Sequence, residues 1–234
     1  MGDAVWSMYD YNRGCCDNIC YSGVADIFRL PKFSLSFFRI QIAEGSMLPS
    51  GKMPYEVFIP AYRDEILSDT VMVYGNVDEV ELVLNGKTIR RQTADKGPDS
   101  DYIPVPNGGN GKNLHFPPFT FYGVPKERGV LEAVGYHQGK KVAEYTVKTP
   151  GVPERLDITY FESGKPATKN DLLIVYVRML DKQGVLCPVN GIPVELSVQG
   201  GEIVGPTSYP LEAGVASFLV RTGEISKINI NGIL

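Results

Sequence analysis

From about residue 55 onward, polar and apolar residues alternate with a period of two. Tyr55, Val57 and Ile59 alternate, residues 71–74 form a second apolar run, and Val80, Leu82 and Leu84 fall on one face of residues 79–84. Alternation of this kind predicts half-buried strands. Asn85-Gly86 follows directly and predicts a type I′ hairpin, because both central positions of that turn need positive φ. Residues 87–92 are the return strand. Residues 116–121 are apolar but carry Pro117 and Pro118, which predicts an edge strand, since proline cannot donate to a central ladder. Residues 131–137 and 140–147 form another hairpin across Gln138-Gly139. Beyond Pro153, Leu156, Ile158 and Tyr160 alternate, and residues 172–180 are almost continuously apolar. Residues 192–198, 201–204, 214–220 and 227–230 follow as strands. Short strands at this spacing, separated by turn residues, predict β-sandwiches.

The first part of the chain reads differently. Ala4, Val5 and Trp6 form a short apolar run that suits a buried strand ending in Asp10-Tyr11 and a turn at residues 12–14. Phe33, Phe37 and Ile40 have helical spacing, whereas Phe33, Leu35 and Phe37 fit strand alternation, so periodicity alone leaves both open. Residues 45–54 are rich in Gly, Pro and Ser, and residues 150–153 read Pro-Gly-Val-Pro. Both stretches mark boundaries. The expected division is 1–48, 49–150 and 151–234, the last of which could be cut short.

Trp6-Ser-Met-Tyr-Asp-Tyr11, followed by Gly23-Val-Ala-Asp and Pro31-Lys32 and an aromatic-rich segment, resembles the last strand-helix unit of the (β/α)₈ barrel in glycoside hydrolase family 2. That family includes β-galactosidases, β-glucuronidases and β-mannosidases. The strings around Asn85-Gly86 and residues 131–143 resemble the immunoglobulin-like domain that follows its barrel. Residues 172–184 with 193–200 resemble bacterial immunoglobulin-like repeats of the invasin type. The resemblance implies a mainly β chain. It would comprise two immunoglobulin-like sandwiches preceded by a barrel remnant of one strand and one helix, and it tips residues 33–40 to helix. It implies the C-terminal part of a β-galactosidase-like enzyme, with Trp6 lining the sugar pocket and Asp10 and Tyr11 supporting it. It also implies an exported parent protein, a carbohydrate partner and no cofactor.

Bulk properties narrow the alternatives. The chain has 234 residues, 43% hydrophobic and 21% charged, which is ordinary for a folded protein. A net charge of −4 without basic blocks argues against nucleic acid as partner. No apolar run approaches the roughly 18 residues of a membrane span. Residues 1–3 lack the features of a signal peptide, and a buried-strand pattern begins within a few residues, which reads as a truncated start. Cys15, Cys16 and Cys20 cluster, but the second half of a zinc site is missing: Cys187 is distant and the only histidines are His115 and His137. Loop thiols are the favoured reading, and a local disulfide remains open. No metal site is expected.

A retaining glycosidase needs two carboxylates about 5–5.5 Å apart. In the resembled family these are glutamates on earlier barrel strands, so no catalytic residue is expected in this chain. Asp10 has two readings, a hydrogen bond to a sugar hydroxyl or a turn cap before Gly14. Asp78, Glu79 and Glu81 read as a solvated strand face rather than a calcium site. Phe116, Phe119, Phe121 and Tyr122 offer an alternative function: a carbohydrate-binding or spacer module whose aromatic surface is the site. Core packing is the favoured reading of these rings. Stranded apolar groups in residues 1–48 predict packing on the first sandwich, self-association or disorder.

Overall fold

The computed structural model describes residues 7–12, 14, 19–42, 54–63, 67–95, 114–161 and 167–232. The chain forms two compact units, Met1–Thr149 and Pro150–Leu234. It is mainly β, with several antiparallel sheets, and among the described residues α1 (Phe33–Ile40) is the sole α-helix. The expected strand at residues 4–6, the segment 45–53 and the loop 98–113 lie outside the described residues.

In the first unit, β3 (Val57–Phe58), β4 (Val71–Gly75) and β7 (Phe119–Phe121) form one sheet in the order β3-β4-β7. The second sheet runs β6-β5-β8-β9, from β5 (Glu79–Leu84), β6 (Lys87–Thr93), β8 (Val130–His137) and β9 (Lys140–Lys148). The inward residues of both sheets share one core. Val57, Val71, Val73, Phe119 and Phe121 come from one sheet, and Val80, Leu82, Leu84, Leu131 and Ala133 from the other. The two sheets are therefore packed face to face as a sandwich. β7 pairs only with β4, at the sheet edge that Pro117 and Pro118 require. Asn85 and Gly86 both take positive φ, 51° and 76°, and close the β5–β6 hairpin as their sequence demands. Gln138 and Gly139 do the same between β8 and β9.

Helix α1 packs on this sandwich. Ile40 is buried, the Phe33 ring lies 5.1 Å from Tyr62 and 6.0 Å from Phe58, and the Phe37 ring lies 5.2 Å from Tyr74. These are the residues with helical spacing, so packing decides the conformation that periodicity left open. The Gln41 side chain fixes the helix end: its Nε2 donates to the Phe116 carbonyl at 2.7 Å, and the Phe116 N–H donates to its Oε1 at 3.0 Å. Arg39 adds an ion pair to Glu56 at 2.7 Å.

The second unit is a five-stranded sheet in the order β10-β11-β14-β12-β13. Its strands are β10 (Arg155–Tyr160), β11 (Leu172–Leu180), β12 (Pro193–Ile203), β13 (Ser208–Pro210) and β14 (Val215–Gly232). Strand β14 pairs with β11 over residues 215–221 and with β12 over residues 220–222 and 227–232, with a register shift between Gln199 and Gly201. Val175, Val177 and Met179 of β11, Val194 and Leu196 of β12, and Ala216, Phe218 and Val220 of β14 share one core, so the sheet wraps around it. Asp181 ties down the start of the unit. Its buried carboxylate accepts backbone N–H groups from Gly151 (2.7 Å), Gln183 (2.8 Å) and Val185 (2.8 Å).

Candidate functional site

The segment around the expected site is a small crossing of chains. β1 (Tyr11–Asn12) pairs antiparallel with β2 (Ile19–Cys20), while Tyr9 bridges Ala25 in parallel. The parallel stretch is held by Val24 N–H to Ser7 O (3.1 Å), Ala25 N–H to Met8 O (3.0 Å) and Asp10 N–H to Ala25 O (3.0 Å). Two segments of the chain can run together this closely at Gly23 only because it lacks a side chain. A Cβ there would stand 2.2 Å from the Asp10 nitrogen and 2.3 Å from the Tyr9 carbonyl carbon.

Asp10 sits at the crossing, and its side chain is almost wholly buried. Its Oδ1 accepts the Gly23 N–H at 2.8 Å and the Lys32 ammonium at 2.7 Å. Lys32 also donates to the Tyr21 carbonyl at 3.1 Å. Lysine is a poor residue at the N-terminal cap of a helix: it offers no acceptor to the free N–H groups, and its charge opposes the helix dipole. Lys32 occupies that position before α1 and makes no capping hydrogen bond. Its pairing with Asp10 explains why it is there. Breaking a buried ion pair costs roughly 3–5 kcal/mol and an exposed one about 0–1 kcal/mol. With Lys32 one-third exposed and Asp10 buried, this pair falls between, at about 1–3 kcal/mol.

Nearby, Asp26 accepts the Leu30 N–H at 2.8 Å and closes the turn that brings Pro31 back against Ala25. Burial raises its pKa above the ordinary value. The turn before Gly14 is capped by Asn12, whose Oδ1 accepts the Gly14 N–H at 2.8 Å, and not by Asp10. Tyr11 is half-buried and Tyr21 is 70% exposed.

Of the three residues expected to meet sugar, Trp6 lies outside the described residues. Asp10 and Tyr11 are adjacent on the crossing, and one Asp10 oxygen is committed to Gly23 and Lys32. Sequence reasoning missed the function of Lys32. A lysine at a helix cap was the available signal. Asp3, Cys15, Cys16 and Asp17 also lie outside the described residues. Cys20 Sγ is 3.4 Å from Ser22 Oγ, and Cys187 is a buried thiol whose pKa burial pushes up. Among the described residues, no three His, Cys, Asp or Glu groups converge on a possible metal position.

Two of the four aromatic candidates are core residues. Phe119 and Phe121 lie in the core, 0% and 1% exposed, so their rings offer no platform to a ligand. Asp78, Glu79 and Glu81 each have a protein partner. Asp78 accepts the Gln138 N–H, Glu79 pairs with Arg91, and Glu81 accepts the Tyr136 and Thr88 hydroxyls.

Comparison with known proteins gives a consistent picture. Residues 68–143 match the family described as Domain of unknown function (DUF4982). The chain is 32% identical over 237 residues to a β-galactosidase of Thermoanaerobacter pseudethanolicus, covering 94% of this chain and 30% of that protein. It is 31% identical over 93 residues to a β-galactosidase of Rhizobium radiobacter, covering 39% of this chain and 67% of that protein. A β-glycosidase structure from Bacteroides vulgatus superposes with a TM-score of 0.74 at 17% identity, over 97% of this chain and 29% of that one. A β-glucuronidase from glycoside hydrolase family 2 superposes with a TM-score of 0.69 at 19% identity, over 92% of this chain and 23% of that one. The chain thus spans less than a third of the T. pseudethanolicus enzyme's length. It belongs to glycoside hydrolase family 2, as a homologue of part of its β-galactosidases and β-glucuronidases.

Proposed function

We propose that this chain is the C-terminal, non-catalytic part of a β-galactosidase-like family 2 enzyme. The observation that carries the reading is similarity along 94% of the chain to only 30% of a β-galactosidase. In the intact enzyme, hydrolysis of the O-glycosidic bond rests on a carboxylate pair outside this chain. Trp6 lines the sugar pocket, with Asp10 and Tyr11 behind it. Residues 1–48 are the last strand and helix of the barrel; the parallel bridge from Tyr9 to Ala25 and the helix at residues 33–40 support this. Residues 49–150 are an immunoglobulin-like sandwich, supported by seven strands split three and four with the order β3-β4-β7 and β6-β5-β8-β9. Residues 151–234 are a second domain of that kind.

Exposed apolar groups support the same assignment. Met8, Tyr9, Ile27, Leu35, Phe38 and Ile42 are all more than one-third exposed. Leu35 and Phe38 lie on a side of α1 away from the Phe33, Phe37 and Ile40 face, with Ile42 just past its C-cap, and a helix apolar on two sides is built to be covered on both. The rest of the barrel covers that side in the intact enzyme, and a second copy of the chain covers it when the barrel is missing.

The test is turnover. The 234-residue chain, incubated with nitrophenyl β-galactoside, is expected to show none, because neither acid protonation nor nucleophilic attack has its carboxylate. Turnover that tracks the protein through repurification overturns the reading.

A further inference from the structure

We infer that Arg63 anchors a binding site for a small monocarboxylate, of the size of formate or acetate, in the first unit. Arg63 lies just past β3 in irregular chain and is only 4% exposed. Its Nη2 donates to the Glu127 carbonyl at 2.5 Å. Its Nε is buried and has no acceptor among the described residues, and no carboxylate there pairs with the guanidinium. Five other arginines show the reverse. Arg39, Arg91, Arg155, Arg178 and Arg221 each pair with a carboxylate, although their side chains are between 36% and 55% exposed and water can solvate them. An exposed ion pair contributes little, whereas a buried charge without a counter-ion is costly. Of these six arginines, the one that most needs a carboxylate lacks it. Burial lowers the Arg63 pKa, and no neighbouring charge opposes that shift. An arginine still keeps its proton at neutral pH, so the positive charge remains.

The guanidinium sets the ligand class. Nε and the adjacent Nη present parallel N–H groups, a fork that matches the two oxygens of a carboxylate. One positive charge balances one negative charge, so a monoanion suits the site better than a doubly charged phosphate. Chloride has the charge but not the paired, directed lone pairs. The neighbouring segment leaves the count unchanged: Lys126 pairs with Asp69 at 3.8 Å, and Glu127 and Arg128 are exposed and opposite in sign. A side chain with so little surface cannot meet another protein, so the ligand is small. Residues 60–63 lie outside the strands, and opening there breaks no sheet pairing.

The Arg63 Nε–H signal in NMR spectra of the isotope-labelled 234-residue chain reads the site directly. It is assigned by its loss in Arg63→Lys, which keeps the charge and removes the fork. The chain is titrated with sodium formate and, separately, with sodium chloride. The expected result is a saturable shift with formate and binding of chloride weaker by about tenfold, the worth of one charge-assisted hydrogen bond. Formate should also raise the melting temperature of the wild-type first unit, as a ligand of the folded state does, and leave that of Arg63→Met unchanged. If Arg63→Met does not fold, the Nε–H titration decides alone. An Nε–H signal unmoved by formate, chloride binding as tightly as formate, or equal stabilisation of Arg63→Met by formate each overturns the inference. None of these outcomes bears on turnover, which tests the functional reading separately.

Discussion

Gly23 and Asp10 show how much one residue can control here. The Gly23 N–H reaches Asp10 only because nothing but hydrogen occupies its side-chain position. Gly23→Ala is expected to push the two segments apart and cost about 1–3 kcal/mol, the usual price of forcing a methyl into packed structure. Hydrogen exchange reports it: the amides of Asp10 and Ala25, bonded across the crossing, should lose protection while those of β5 and β8 keep theirs. Equal protection in the variant would mean that the crossing tolerates a side chain. Asp181 carries a different signature. Backbone N–H donors, that of Gly151 foremost, hold its carboxyl below the ordinary value of 3.8. A carboxyl whose folded pKa is depressed contributes stability that is present above the unfolded value and is lost as pH falls through the folded one. Asp181→Asn should therefore lower the urea midpoint of the second unit at neutral pH, with the gap to wild type closing on acidification. A gap that stays constant with pH would assign the loss to geometry rather than charge.

Elements were legible to the extent that local pattern specifies them. The inward faces of β5 and β8 and the turns at Asn85-Gly86 and Gln138-Gly139 follow from alternation and positive φ, both of which act over a few residues. Helix α1 was not legible from periodicity, because Phe33 and Phe37 satisfy both periods; the sheet it rests on decides. The Asp10–Lys32 pair was invisible for the same reason, since 22 positions separate the partners and only the fold brings them together. The Ala213-Gly214 turn before β14 escaped because alanine is not a usual residue at positive φ, yet it sits at 48°. Gln41 is a further case of long-range specification, pairing with Phe116 across 75 positions. Gln41→Ala leaves the Phe116 N–H and carbonyl without these partners and should cost about 1–3 kcal/mol, at the rate for unmade buried hydrogen bonds. Chemical denaturation measures it. A change within a few tenths would show that water replaces the amide fully.

At the scale of the molecule, the helix binds the fate of residues 1–48 to the first sandwich. From sequence alone, the segment was expected to pack on the first sandwich, self-associate or be disordered beside two folded domains. The structure makes removal costly to one of them, because α1 covers Phe58 and Tyr74 on the sandwich surface. Full burial of an Ile or Phe side chain contributes roughly 1.5–3 kcal/mol. Counting Ile40 in full and Phe33 and Phe37 as half-buried gives about 4 kcal/mol before the entropy of ordering the helix is subtracted. For a unit of this size, each kcal/mol moves the melting temperature by about 2–4 °C, so the net loss should lower it by roughly 5–10 °C. The second unit has its own core and its own Asp181 anchor, and its stability should not change. Differential scanning calorimetry of the full chain and of a chain lacking residues 1–48 distinguishes the outcomes. One transition should fall and one should hold, and sedimentation should show any self-association disappearing with the exposed Leu35, Phe38 and Ile42. If both transitions hold, α1 contributes nothing to the sandwich it touches. If both fall, the two units do not unfold independently.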